Sequence, residues 1–428
     1  MYRHFTLCLI ALCLLTQTIQ AQPLENTKPL TLEGDIASQI VTGADKFLLR
    51  QLDNTITARE RYWNRDSSSA ATYEASVANN RARLAEITGV VDKRKTFGDL
   101  QIVAGTGGPV EVAKGESFLA FNVRWPSVRD ISGVGLLLKP NKPNGAYFIA
   151  IPDADQTPEM ISGLADGLPA DQQYAKRLAE SGFTVIVPAV ISRQYESRNN
   201  RAKMTTREFL YRSSYELGRH LIGFEIQKVL AVVDWCESRN DSDVQIGVAG
   251  YGEGGLLALY SAALDTRIDA TLVSGYFDSR QDMWSEPVSR NVYGLLDQFG
   301  DAELASLIAP RSLIIEAAKG PEFELPSEGG APASLDTPDP KVVSSEVARA
   351  KKLIGNEQLD ALSLIVSGDG YGVFASEKAL QSVAAAVLPN SKIAAVGSAP
   401  KLCRELTDVQ ARESQQAHEI NAHTQWLL

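Results

Sequence analysis

Apolar residues recur at helical spacing in the first part of the chain and in short unbroken runs through most of the rest. Over residues 35–88, Ile36, Ile40, Phe47, Leu48, Leu52 and Ile56 fall mostly on one face of a helix. A second helix around Thr72–Thr88 carries Tyr73, Val77, Leu84 and Ile87, and Asp66–Thr72 supplies the cap and turn residues between the two. Leu100–Val103, Phe118–Trp125 and Gly133–Lys139 are alternating or β-branched runs bounded by Gly, Pro or Asp, and predict strands. From residue 146 the rhythm becomes strand, helix, strand. Tyr147–Ile151 is a buried strand, Asp171–Ser181 an amphipathic helix and Phe183–Val190 another buried strand. Helices across roughly 206–238 precede the apolar strand and helix of residues 244–264, and strands follow at Ala270–Ser274, Ser312–Glu316 and Ala361–Ser367.

Repeated βα units with fully apolar strands predict an α/β fold, with a mostly parallel central sheet covered by helices on both faces. The expected organisation is a signal peptide over 1–21, an N-terminal helical extension over 22–95, the α/β domain over 96–390 and a polar helical segment over 391–428. Gly320–Lys341, rich in Pro, Gly and Ser, reads as a surface loop. The polar helix after Ala399 ends at Leu428 without cap or glycine, so the sequence is expected to have once continued.

Composition narrows the function classes. With 44% hydrophobic and 22% charged residues, the chain is an ordinary globular one. A net charge of −10, with both signs mixed, argues against phosphate-backbone binding and nucleic acid partners. Arg3, the apolar run Phe5–Thr16 and Ala21 form a plausible secretory signal, an N-terminal anchor being the alternative, and point to a secreted or periplasmic protein. No later run is long enough for a membrane helix, so no membrane contact is expected after signal cleavage. The mature chain keeps Cys236 and Cys403, which read as unpaired thiols. It keeps His220, His418 and His423 in no metal-type spacing; His220 reads as a structural residue within a helix, and neither metal nor cofactor is expected.

The most informative motif is Gly250-Tyr251-Gly252-Glu253-Gly254, between an apolar strand and an apolar helix. In a nucleophile elbow, G-x-S-x-G lifts a serine onto a sharp strand-to-helix turn; here its slot holds Gly252. Gly250 and Gly254 let helix and strand approach closely, and glycine tolerates the strained slot conformation without a Cβ penalty. The same string also resembles a dinucleotide loop. Its late position in the chain and the carboxylate of Glu253 count against a pyrophosphate.

Three stretches carry a family resemblance: LGRHLIGFEIQKVLAVVDW (217–235), VQIGVAGYGEGG (244–255) and LYSAALDTRIDATLVSGYF (259–277). They resemble bacterial acetyl xylan esterase-like and dienelactone hydrolase-like proteins, through the helix before the elbow, the elbow frame and the ALDxRI helix exit. PDADQTPEM (152–160) and LIAPRSLIIEA (307–317) resemble a further group of secreted bacterial proteins. The resemblance implies an α/β-hydrolase fold and a Ser-His-Asp site. Carried over slot by slot, the nucleophile falls on Gly252, and the acid falls near Gly320, with Glu316 and Glu322 as displaced carboxylates. The histidine falls on Tyr371 or Gly370, in the turn Gly368–Phe374. Triad chemistry needs an imidazole within reach of a hydroxyl, and the matched slots supply neither.

Residues that could line a polar, acidic pocket at the carboxyl ends of the strands are Asp153, Asp155, Gln156, Tyr251, Gly252, Glu253, Glu316 and Tyr371. Such a pocket suits a carbohydrate, an ester-like small molecule or a cation better than a phosphate. The leading expectation is an α/β-hydrolase-fold protein without Ser-His-Asp catalysis, serving as a binding or scaffold domain. The alternatives are an ester hydrolase with a non-standard nucleophile, a carboxylate-based reaction at Glu253, and a nucleotide-binding α/β protein.

Overall fold

The computed structural model describes residues 25–28, 30–105, 107–239, 244–355 and 360–428; the expected signal, residues 1–21, lies outside them. The chain divides into two compact units, Met1–Gln51 and Leu52–Leu428. In the first, the described part of helix α1 (Ile36–Ala58, shared with the second) has no buried residue. The second unit carries the central sheet.

Its centre is a sheet whose long strands are β1 (Phe118–Val128), β2 (Ile131–Pro140), β3 (Tyr147–Ile151), β4 (Thr184–Pro188), β5 (Ile246–Tyr251), β6 (Ala270–Ser274), β7 (Ser312–Ala317) and β8 (Leu362–Val366). Their spatial order is β8-β7-β6-β5-β3-β4-β2-β1. The pairs from β4 through β8 are parallel, whereas β1–β2 and β2–β4 are antiparallel. Strands β3, β5 and β6 are buried along almost their whole length, as a sheet covered on both faces requires.

One face packs against α2 (Ala70–Ile87), α5 (Leu221–Ser238), α6 (Glu253–Leu264), α7 (Asp301–Ile308) and α8 (Pro340–Ile354). The other carries α3 (Tyr174–Glu180) and α9 (Glu377–Val387). Tyr73, Val77 and Leu84 of α2 are fully buried, so this N-terminal helix belongs to the main core. A capping box at Ser69 starts it, within the predicted turn.

Four local expectations change. The helices expected across 206–238 are α4 (Thr206–Tyr215) and α5, but His220 is the N-cap of α5 rather than a mid-helix residue. Only Tyr174–Glu180 of the helix predicted from Asp171 is α-helical, after a 3-10 turn at Ala170–Gln172. The loop 320–341 contains a small hairpin, Phe323–Leu325 with Ala333–Leu335. The polar C-terminal stretch begins with a short edge strand at Lys401–Leu402 and becomes helical only at α10 (Val409–Leu427).

Helix α10 is held by polar contacts that its composition does not announce. Arg412 makes a two-pronged bond to the buried Glu159 (2.6 and 3.0 Å), and Glu419 accepts from Arg124 and from Ser132 N. Gln416 accepts from the buried Lys228, and Ile420 is fully enclosed.

Candidate functional site

Strand β5 delivers the chain into the turn at Gly252, and α6 leaves from it. Gly252 has φ 55° and ψ −116°, a conformation for which glycine is the natural occupant. A Cβ at Gly250 would run into the carbonyl of Gly254, and one at Gly254 into that of Ile151, so both positions demand a bare backbone. This is the strand-turn-helix frame of a nucleophile elbow, complete in its backbone.

The space above Gly252 is taken. A Cβ there would fall inside van der Waals contact of Asp153 Oδ1 and lie 3.0 Å from Pro321 Cγ. Asp153 comes from the loop after β3, and its carboxylate is fully engaged. Oδ1 accepts from the Glu253 backbone N–H (2.8 Å) and Arg193 Nη2 (2.8 Å); Oδ2 accepts from Arg193 Nη1 (2.5 Å) and the Asp155 N–H (3.0 Å). In a working elbow, the N–H after the nucleophile and one from the β3 loop make the oxyanion hole. Here both kinds of donor point at an internal carboxylate. Burial opposes the charge on Asp153, but Arg193 and these N–H groups outweigh it and hold the carboxyl down to about 2.

Glu253 is equally committed. Its Oε1 accepts from Arg207 (2.9 Å), its Oε2 from Arg193 (3.3 Å), and Arg290 lies 3.5 Å away. Burial works against its ionisation, yet Arg207, Arg290 and Arg193 together lower its pKa, which makes it a poor proton acceptor. Arg207 also forks onto Glu225 (3.0 and 2.8 Å). Arg290 and Arg280 share Glu286, at 3.0 and 2.9 Å, and Arg280 approaches the fully buried Asp301 at 3.5 Å. The result is a continuous buried ion cluster under the elbow. The void beside Gly252 is about 20 Å³, room for roughly one water.

The other predicted residues part company. Glu316 is buried on β7 and accepts from Ser274 Oγ, Ser367 Oγ and the N–H groups of Ala375 and Ser376, so it pins the start of α9 to the sheet. Gly320 donates its N–H to Thr337, and the exposed Glu322 bonds the same hydroxyl. Tyr371 is 58% exposed, while Phe374 of the same turn stacks on Tyr251 with ring centroids 3.7 Å apart. Gln156 accepts from Asp153 N at 3.3 Å, and the Asp155 side chain, though bonded to Arg193, is half exposed. Thus Asp153, Asp155, Gln156, Tyr251, Gly252 and Glu253 gather at the elbow. Glu316 and Tyr371 serve the neighbouring loop.

His220 caps α5: Nδ1 accepts from Ile222 N, and Nε2 faces the Asn291 carbonyl at 3.1 Å. Burial pushes its imidazole down to about 4. His423 is buried against Phe224, with Nε2 3.6 Å from Asp92. Cys236 and Cys403 are free thiols, and burial raises the pKa of the former. No group of three or more His, Cys, Asp or Glu among the described residues is arranged to hold a metal ion.

Arg193, Arg207 and Arg290 are the partners that sequence reasoning missed. Their contacts to Asp153, Glu225 and Glu253 span 18 to 60 positions, and no short motif links them. The one available signal was an arginine just past an apolar strand, at the sheet end where ligands bind.

The chain has the α/β-hydrolase fold. Residues 160–299, about a third of the chain, match the dienelactone hydrolase family model. A solved structure assigned as an acetyl xylan esterase of Bacteroides fragilis aligns with a TM-score of 0.54 at 15% identity, covering 81% of this chain and 84% of that one. A glucuronoyl esterase from Solibacter usitatus aligns with a TM-score of 0.50 at 13% identity, covering 74% and 94%. No curated protein matches the sequence. Among the described residues, no helix is long and apolar enough to cross a membrane.

Proposed function

We propose that this is an exported α/β-hydrolase-fold protein, of carboxylic ester hydrolase-like type, in which Ser-His-Asp catalysis has been replaced by a fixed ion cluster and which acts as a binding or scaffold domain. One observation carries the reading: the Asp153 carboxylate fills the nucleophile's space above Gly252 and takes the Glu253 N–H that an oxyanion would need. Ester cleavage requires an attacking oxygen, a proton acceptor and free donors for the developing oxyanion. At this elbow the first is a hydrogen atom and the last are satisfied internally. Export is inferred from the signal-like residues 1–21.

The test is turnover of 4-nitrophenyl acetate and 4-nitrophenyl butyrate by the purified chain. The expected rate equals that of buffer and does not change in Glu253→Ala. Hydrolysis well above buffer that is lost in Glu253→Ala or Tyr371→Phe would refute the proposal.

A further inference from the structure

We infer that a groove between the end of α4 and the chain after β6 binds a neutral oligosaccharide. The groove encloses about 350 Å³, at the small end of the range for ligand sites. Met283, Leu295 and Leu296 are buried side chains of its lining. Three aromatic residues in it face solvent: Tyr215 (44% exposed), Trp284 (57%) and Tyr293 (78%). Large aromatic side chains normally bury their area. Here three cluster at one cavity, with Tyr215 and Tyr293 edge to face at 6.5 Å.

Their polar tips decide what kind of ligand fits. Among the described residues, neither the Tyr215 hydroxyl, the Tyr293 hydroxyl nor the Trp284 indole N–H has a hydrogen-bond partner. A purely apolar surface laid on the rings would strip water from these groups and leave them unsatisfied. A pyranose chain offers C–H faces to the rings and hydroxyls to their tips. Charge points the same way. The carboxylate lining the groove, Asp297, is already bonded to Arg61 and Tyr62, so no free charge remains to select an ionic ligand. Helix α4 ties the groove to the elbow, since it carries Arg207 of the ion cluster near its start and Tyr215 at its end. The groove lies outside the elbow, so this inference and the proposed loss of ester chemistry stand or fall separately.

Calorimetric titration and tryptophan fluorescence of the intact protein with cellohexaose, xylohexaose, maltohexaose and, as the charged comparison, tetragalacturonate test the assignment. At least one neutral hexasaccharide should bind, and Trp284→Ala and Tyr293→Ala should each weaken it about ten-fold, whereas Tyr293→Phe keeps the ring and loses less. Thermal unfolding of these exposed-site variants should match the parent, which separates lost binding from lost folding. Four results would overturn the inference: no signal from any neutral hexasaccharide, binding unchanged in Trp284→Ala, tighter binding of tetragalacturonate, or a dimer in sedimentation that Trp284→Ala dissociates.

Discussion

A glycine and an aspartate, 99 positions apart, define the chemistry of the elbow. Gly252 keeps the turn in its sharp conformation, and Asp153 supplies the negative charge that the turn's donors were built to meet. On the proposed reading, placing a serine at 252 is therefore expected to create no esterase. The new Cβ must displace Asp153 or Pro321, and a non-glycine residue in this region of backbone space costs roughly 1–3 kcal/mol by itself. Gly252→Ser should lose at least that much stability in urea unfolding and gain no esterase rate. The Gly252 turn was legible in the sequence because the elbow motif fixes its position by spacing. The occupant was not, because Asp153 reaches Gly252 only through the adjacency of β3 and β5 in the sheet.

At the scale of elements, the sequence told most about what is apolar and least about what is polar yet buried. Tyr147–Ile151 and Ala270–Ser274 occupy the predicted residues because unbroken apolar runs have few alternatives to a central strand. Helix α10 shows the opposite case. Its string of Gln, Glu and Arg reads as solvated, but Arg412, Gln416 and Glu419 are buried in specific pairs with Glu159, Lys228 and Arg124. Removing one member leaves a charge without its partner in a low-dielectric site. Arg412→Ala should destabilise the protein by about 3 kcal/mol, whereas an exposed pair such as Arg83–Glu86 should contribute less than about 1 kcal/mol. Urea unfolding of the two variants, Arg412→Ala and Arg83→Ala, measures the contrast.

For the molecule as a whole, the buried charges predict a pH response made of opposing parts. The His220 imidazole sits at about 4, below its ordinary 6.5, so the stability it carries is present above pH 6.5 and is lost as pH falls towards 4. Burial pushes Asp301 up to about 7 from 3.8; its contribution is present below pH 3.8 and is lost as pH rises through 7. Between pH 4 and 6.5 the two slopes oppose and largely cancel. Asp301→Asn should expose the histidine's slope, so that stability falls by a few kcal/mol from pH 6.5 to pH 4, as followed by urea midpoints across that range. His220→Gln should show the reverse slope. Equal, flat profiles in both variants would contradict this assignment. The fold that holds these groups is the α/β-hydrolase fold, and the proposed function requires that its elbow hold no reactive oxygen. Intact-mass spectrometry after incubation with a serine-directed fluorophosphonate reads that claim most directly. The account predicts no adduct on the purified chain at neutral pH, and a stoichiometric adduct at any serine would contradict it.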